Sequence, residues 1–229
     1  MKKNYTPSRR VITRRAIIPN GRFASMKMGR AIDYETPVER DFLFLAEYDR
    51  QVTGIWEQPM KVSVELGRKQ CNKYPSFKLL MRNGDIRIHD VKSEKEAKKL
   101  KNQTITRALE DLFSEIDVEY QVTIDTVIRK QPRLQNIKSL ARHATKYPKQ
   151  IELLWLQQLL GEVAVITIGD LINGRFGFVL TKPILFGLIF RGELDIEINH
   201  PLTHDTLIFS GDYPTQRYIG AEPEVALCD

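Results

Sequence analysis

The sequence predicts an α/β protein in two parts: a first domain built on a mixed sheet, then a mostly helical domain that ends in short strands. Two observations carry this. Between residues 37 and 124 the apolar residues alternate between helical and strand spacing, in the order helix, strand, strand, hairpin return, helix, strand. From residue 125 onward helical stripes dominate, separated by Pro- and Gly-containing breaks. The length of 229 residues suits one large domain or two small ones, either with a proper core.

The first helix opens at Thr36-Pro37-Val38-Glu39. Thr36 is a capping residue, Pro37 suits the first helical position and Glu39 completes a capping box. Phe42, Leu45 and Ala46 form its apolar face, and it should end near Asp49. Residues 52–56 read as a strand. Gln58-Pro59 interrupts, and residues 61–66 (KVSVEL) alternate like a strand with one wet face. Residues 74–81 read as a further strand, Asn83-Gly84 as a hairpin turn, and Ile86, Ile88 and Val91 as the return strand. Ser93 can cap one long helix whose stripe runs through Ala97, Leu100, Ile105, Leu109, Leu112, Phe113 and Ile116. Val118, Tyr120, Val122 and Ile124 alternate as a strand.

Residues 125–144 then read as one or two helices broken at Pro132, and residues 148–160 as a helix stopped by Gly161. Residues 167–172 form a short helix, 173–177 a turn, and 180–190 a helix closed by Arg191-Gly192. Short strands at 193–198 and 206–209 follow. Helix, turn, helix and then a β-wing is a winged-helix outline. The boundary falls near residue 147, giving a basic arm at 1–30 and domains at 31–147 and 148–229.

Charge is unevenly placed. Residues 1–30 hold Lys2, Lys3, Arg9, Arg10, Arg14, Arg15, Arg22, Lys27 and Arg30 and no acid. Taking those nine from the 35 Lys and Arg of the whole chain leaves 26, against 29 Asp and Glu. The net +6 therefore comes from the first thirty residues, which suits contact with a polyanion such as nucleic acid; a solvated tail is the plainer alternative. Cys71 and Cys228 are too few and too far apart for a disulfide framework or a zinc site. No apolar run is long enough for a membrane span, and no apolar segment follows the N-terminal charges as in a secretory signal. The expectation is a soluble cytoplasmic protein.

Asp90 and Lys92 stand at positions i and i+2 of one strand and share a face. With a second acid from a nearby helix, such a pair can bind a divalent cation and set a cation beside a scissile phosphate. Taken singly, Asp90 and Lys92 read equally as a surface ion pair, and Glu39 as a capping carboxylate. The histidines are scattered; Pro201 between His200 and His204 argues against a helical metal pair. Trp56 and Trp155 read as core aromatics. The charged run at 94–101 is either a solvated helix face or a DNA-backbone contact.

The ordered set Pro37-Val-Glu-Arg-Asp-Phe42, Trp56-Glu-Gln-Pro59, Tyr74-Pro-Ser-Phe77 and Asp90-Val-Lys92 resembles the PD-(D/E)xK nuclease core. More closely it resembles the TnsA family, endonuclease subunits of heteromeric cut-and-paste transposases. Residues 185–201 (LFGLIFRGELDIEINHP) look like that family's second domain, so the resemblance covers most of the chain. It implies a restriction-endonuclease-like core, a winged-helix-like C-terminal domain, and Mg²⁺-dependent cleavage (Mn²⁺ also possible) of the 5′ ends of a transposon. A DDE-type transposase would act on the 3′ ends, and an ATP-dependent transposition regulator is a further implied partner. Glu39 and Asp90 would be metal ligands, with the backbone carbonyl of Val91, and Lys92 the catalytic lysine. Arg9, Arg10, Arg14, Arg15, Arg22, Lys27 and Arg30 would contact double-stranded DNA, with no membrane involved, in the bacterial cytoplasm at the nucleoid.

One position departs from that pattern. The family's Tyr-Pro-Asp-Phe reads Tyr-Pro-Ser-Phe here, so Ser76 stands where the central metal ligand is usual. A neutral hydroxyl is a poor substitute for a carboxylate around magnesium. Three readings stay open: a weak or metal-demanding nuclease, an inactive subunit kept for DNA binding and bridging, or an aspartate replaced deliberately.

Overall fold

The computed structural model describes residues 5–12, 19–67 and 69–211. Lys2, Lys3, Arg14, Arg15 and Cys228 lie outside them. The chain divides into two compact units, Met1–Arg129 and Lys130–Asp229.

The first unit opens with a hairpin, β1 (Gly21–Ser25) and β2 (Arg30–Tyr34), paired antiparallel from Gly21↔Tyr34 to Ser25↔Arg30. Phe23 and Ile32 are its buried apolar side chains. The segment expected to be a basic arm is therefore folded from Gly21 on, because two apolar residues at strand spacing outweigh the charge around them. Helix α1 (Pro37–Tyr48) follows, with Asp49 as its C-cap. Thr36 accepts a hydrogen bond from the Glu39 N–H at 3.1 Å, a cap worth about 1 kcal/mol.

Strands β3 (Val52–Glu57), β4 (Val62–Leu66), β5 (Lys69–Lys73), β6 (Phe77–Met81) and β7 (Ile86–Lys92) come next. The segment expected as one strand at 74–81 begins later. Pro75 has no N–H to give a ladder, so Tyr74-Pro75-Ser76 is a connector between β5 and β6. The polar β5 pairs only with β4. At the hairpin tip Gly84 has φ +93°, a conformation that favours glycine.

The long helix expected from Ser93 is two: α2 (Glu94–Ala97), capped by Ser93, and α3 (Leu100–Ser114). Leu100 is 78% exposed, so no apolar anchor holds the first turn of α3 in line with α2. Strand β8 (Glu119–Ile124) pairs parallel with β7, and α4 (Asp125–Ile128) ends the unit. The central sheet has the order β3-β6-β7-β8, antiparallel except for β7/β8, so the expected mixed α/β sheet is present. On one face Phe42 of α1 stacks on Phe77, with centroids 5.3 Å apart. On the other, Ile105, Leu109 and Phe113 of α3 join Val62, Val64, Ile88 and Tyr120 in one cluster.

The second unit holds α5 (Arg133–Ala141), α6 (Gln150–Glu162), β9 (Ile166–Thr167), α7 (Ile168–Ile172), α8 (Lys182–Arg191), β10 (Leu194–Asp195) and β11 (Leu207–Ser210). The three strands form an antiparallel sheet in the order β10-β11-β9. The sequence places the boundary near residue 147, but the units part at Arg129, because the stripe Leu134, Ile137 and Leu140 of α5 is buried with α8. Asn136 reinforces this, its side-chain N–H groups donating to the carbonyls of Ile198 (2.9 Å) and His200 (2.7 Å). Gly161 lies inside α6; the helix ends where Val163 turns extended. Gly192 closes α8 at φ +81°. Among the described residues no helix is long and apolar enough to cross a membrane.

Candidate active site

Four residues from three parts of the first unit meet. Glu39 comes from the first turn of α1, Ser76 from the connector before β6, and Asp90 and Lys92 from the end of β7. Ser76 is the hub. Its Oγ donates to Glu39 Oε1 at 2.9 Å and accepts from the Val91 N–H at 3.2 Å, while its N–H donates to Asp90 Oδ1 at 3.1 Å. Lys92 Nζ lies 2.9 Å from Asp90 Oδ2, so the expected shared face of Asp90 and Lys92 is realised as an ion pair.

Burial sets the electrostatics. Glu39, Ser76 and Asp90 are all buried, and Lys92 half-buried. Burial pushes the Glu39 carboxyl up from 4.5 to about 7, although hydrogen bonds from the Glu35 N–H (2.5 Å) and Ser76 Oγ pull the other way. Near neutrality Glu39 therefore exchanges between acid and carboxylate. The Tyr120 hydroxyl of β8 donates to Asp90 Oδ2 at 2.9 Å. Burial, and then the neighbouring Asp90 charge, hold that phenol well above its ordinary range, so it stays a donor.

No family model matches the chain, and a search of curated proteins returns no match.

As a donor set the site offers two carboxylates, the Ser76 hydroxyl and the Val91 main-chain carbonyl. These are hard oxygens of the kind Mg²⁺ and Mn²⁺ take, so they fit such a cation, though as a lean set. Among the described residues no group of three or more His, Cys, Asp and Glu is placed to hold a metal. An aspartate at 76 would supply the third carboxylate.

The basic residues expected at DNA have different fates. Lys27 Nζ donates to the carbonyls of Ala46 (2.8 Å) and Asp49, so it caps the C-terminal end of α1, and burial lowers its pKa to about 8. Arg30 clamps the buried Glu57 through both terminal nitrogens, at 2.7 and 2.6 Å. These two are structural, since each cation stands over a buried acceptor. Arg22 is exposed beside Asp33 at 3.4 Å, and Arg10 is exposed. Arg9 is held at the site by Glu35 and Gln58. Charge counting could not separate these cases, because it does not see which acid the fold sets opposite each cation.

Sequence reasoning missed two residues that complete the site. In the sequence Tyr120 is only one member of an alternating strand, and its place opposite Ile88, two positions before Asp90↔Val122, carries no polar signal. Gln58 is buried, has φ +43°, and its N–H donates to the Ser76 carbonyl at 2.9 Å. The Gln58-Pro59 break was the available hint.

Proposed function

We propose that the chain is a TnsA-like subunit of a heteromeric cut-and-paste transposase. Its first unit is read as a restriction-endonuclease-like DNA nuclease acting on the 5′ strands at the transposon ends. The observation that carries the reading is the convergence of Glu39, Ser76, Asp90 and Lys92, distant in sequence, on one hydrogen-bonded cluster. The helix–three-strand–helix–strand order of α1, β3, β6, β7, α3 and β8, with β7 and β8 parallel, supports the nuclease-fold reading. The order α6, β9, α7, α8, β10, β11 with its three-stranded sheet supports a winged helix in the second unit.

In this reading Glu39, Asp90 and the Val91 carbonyl would hold Mg²⁺, which when bound supplies charge neutralisation at the phosphodiester and a more acidic water. Lys92 brings a cation to the same place, able to orient a water and to balance charge that develops on the phosphate. Tyr120 and the Ser76 N–H fix the Asp90 carboxylate from two sides. Exposed Arg10 and Arg22 add salt-sensitive affinity for double-stranded DNA. The partners of the reading are the DDE-type transposase and the ATP-dependent regulator.

A second reading is favoured by Ser76 itself. Its hydroxyl satisfies Glu39 and the Val91 N–H with no cation needed, as in a non-cleaving subunit retained for DNA binding and bridging. Cleavage of labelled transposon-end DNA, with the partner transposase and Mg²⁺ or Mn²⁺, separates the two. The nuclease reading expects 5′-strand cutting by the unsubstituted chain that Ser76→Asp accelerates at least about 100-fold, the order of one lost transition-state contact. Cutting by Ser76→Asp alone favours the bridging reading. Assembly on DNA without cutting by either chain ends the catalytic assignment.

A further inference from the structure

Residues 5–12 run along the rim of the same site. The Tyr5 hydroxyl donates to the Glu57 carbonyl at 2.6 Å, the Ser8 N–H donates to the Gln58 carbonyl at 2.9 Å, and Val11 is buried. Between these anchors Arg9 donates through Nη2 to Glu35 Oε2 at 2.6 Å and to Gln58 Oε1 at 3.2 Å. Its guanidinium lies 5.1 Å from the centroid of the Tyr74 ring. Each of these three neighbours is tied to the site. The Glu35 N–H donates to Glu39, the Gln58 N–H donates to the Ser76 carbonyl, and Tyr74 stands two residues before Ser76.

We infer that Arg9 binds a backbone phosphate of the DNA at this site, and that Glu35 stores its guanidinium until the phosphate displaces the carboxylate. The inference rests on the reading of the chain as a DNA-acting protein, and goes beyond it by assigning one residue and an exchange of partners. The stored pair is accessible: the Arg9 side chain is 41% exposed and that of Glu35 33%. An exposed ion pair of this kind contributes little to stability, so little opposes the exchange. The planar fork of a guanidinium matches a phosphate as well as a carboxylate. Lys27 and Arg30 lack this freedom, being committed to acceptors inside the fold. The anchors on either side, with the Tyr74 ring, hold the guanidinium among Glu35, Gln58 and Tyr74, one contact away from Glu39 and Ser76.

The test is fluorescence anisotropy of a short labelled DNA duplex with the full chain, titrated across salt concentration. The variants are Arg9→Ala, Arg9→Lys, Glu35→Gln and the double variant, each checked for an unchanged melting profile. Arg9→Ala should lower the slope of log affinity against log salt by about 1, and Arg9→Lys should restore it. Glu35→Gln should tighten binding, and this gain should vanish when Arg9 is already alanine. If the native chain binds the duplex but Arg9→Ala leaves the slope unchanged, the inference falls and the DNA-acting reading stands. An equal gain from Glu35→Gln with and without Arg9 overturns the exchange. A native chain that binds no duplex even at low salt defeats the underlying reading, and the inference with it.

Discussion

Ser76 Oγ donates to Glu39 Oε1 at 2.9 Å, joining a helix residue to a connector residue 37 positions later. The same serine gives its N–H to Asp90, so two buried carboxylates face one another across a neutral residue. What the site does depends on that neutrality.

A carboxylate at position 76 would add a third negative charge within hydrogen-bond reach of Glu39 and Asp90. Like charges brought together in a buried place repel, and the repulsion is relieved by a cation or a proton. Ser76→Asp should therefore lower stability by about 1–3 kcal/mol in the presence of a chelator. Millimolar Mn²⁺ should reverse the loss. The melting temperature with and without Mn²⁺ checks this, and the unsubstituted chain should respond far less.

The raised Glu39 pKa has a stability consequence of definite sign. Its folded value, about 7, lies above the ordinary 4.5, so the folded state binds the proton more tightly than the unfolded state. The stabilisation is fully present below about pH 4.5 and is lost as pH rises through about 7. The full span corresponds to about 3 kcal/mol, an order-of-magnitude figure. Glu39→Gln should remove this contribution to the pH dependence of stability, measured by urea unfolding at pH 5 and pH 8. A native-like pH profile in the variant would contradict it.

Arg30 stands over Glu57, whose side chain is 5% exposed while that of Arg30 is 27% exposed. Arg30→Ala leaves a buried carboxylate without its cation and should cost about 2–3 kcal/mol, below the range for a fully buried pair because water reaches the arginine. Arg22→Ala, at an exposed position, should change stability by less than about 0.5 kcal/mol. Parallel denaturant titrations of the two variants separate a structural arginine from a surface one.

The hydroxyl of Tyr120 is one of the donors that fix Asp90. Tyr120→Phe keeps the ring stacked on Phe113 and removes only that donor, at a cost of about 1–2 kcal/mol. In a Ser76→Asp background it should also weaken Mn²⁺ binding, because Asp90 loses one of its orienting partners. A loss of stability with unchanged Mn²⁺ affinity would leave the Tyr120 hydroxyl as a structural donor with no part in cation binding.

Much of the first unit was legible because its signals are local. The Thr36 cap with Pro37, the alternation in β4 and β8, and the Asn83-Gly84 turn each mark an element by a few residues. Asp90 and Lys92 were legible as a pair through strand spacing alone. The β1–β2 hairpin was not, because the basic residues around Phe23 and Ile32 read as an arm. Strand β5 is polar except for Cys71 and depends on β4 for its existence. The break at Lys98-Lys99 follows from what α3 fails to bury at Leu100. Gln58, Tyr120 and the Arg9–Glu35 pair join the site only through long-range hydrogen bonds, which no spacing rule carries.

The central claim is that Glu39, residue 76 and Asp90 form one cation site that is short of a carboxylate. Mn²⁺ binding to the full chain, followed by electron paramagnetic resonance of the free ion, tests it most directly. The account predicts that Ser76→Asp binds one Mn²⁺ at least about tenfold tighter than the unsubstituted chain, a difference of about 1.4 kcal/mol. Adding Glu39→Gln should abolish the gain. Equal Mn²⁺ binding by the unsubstituted chain and Ser76→Asp, both folded, would contradict it.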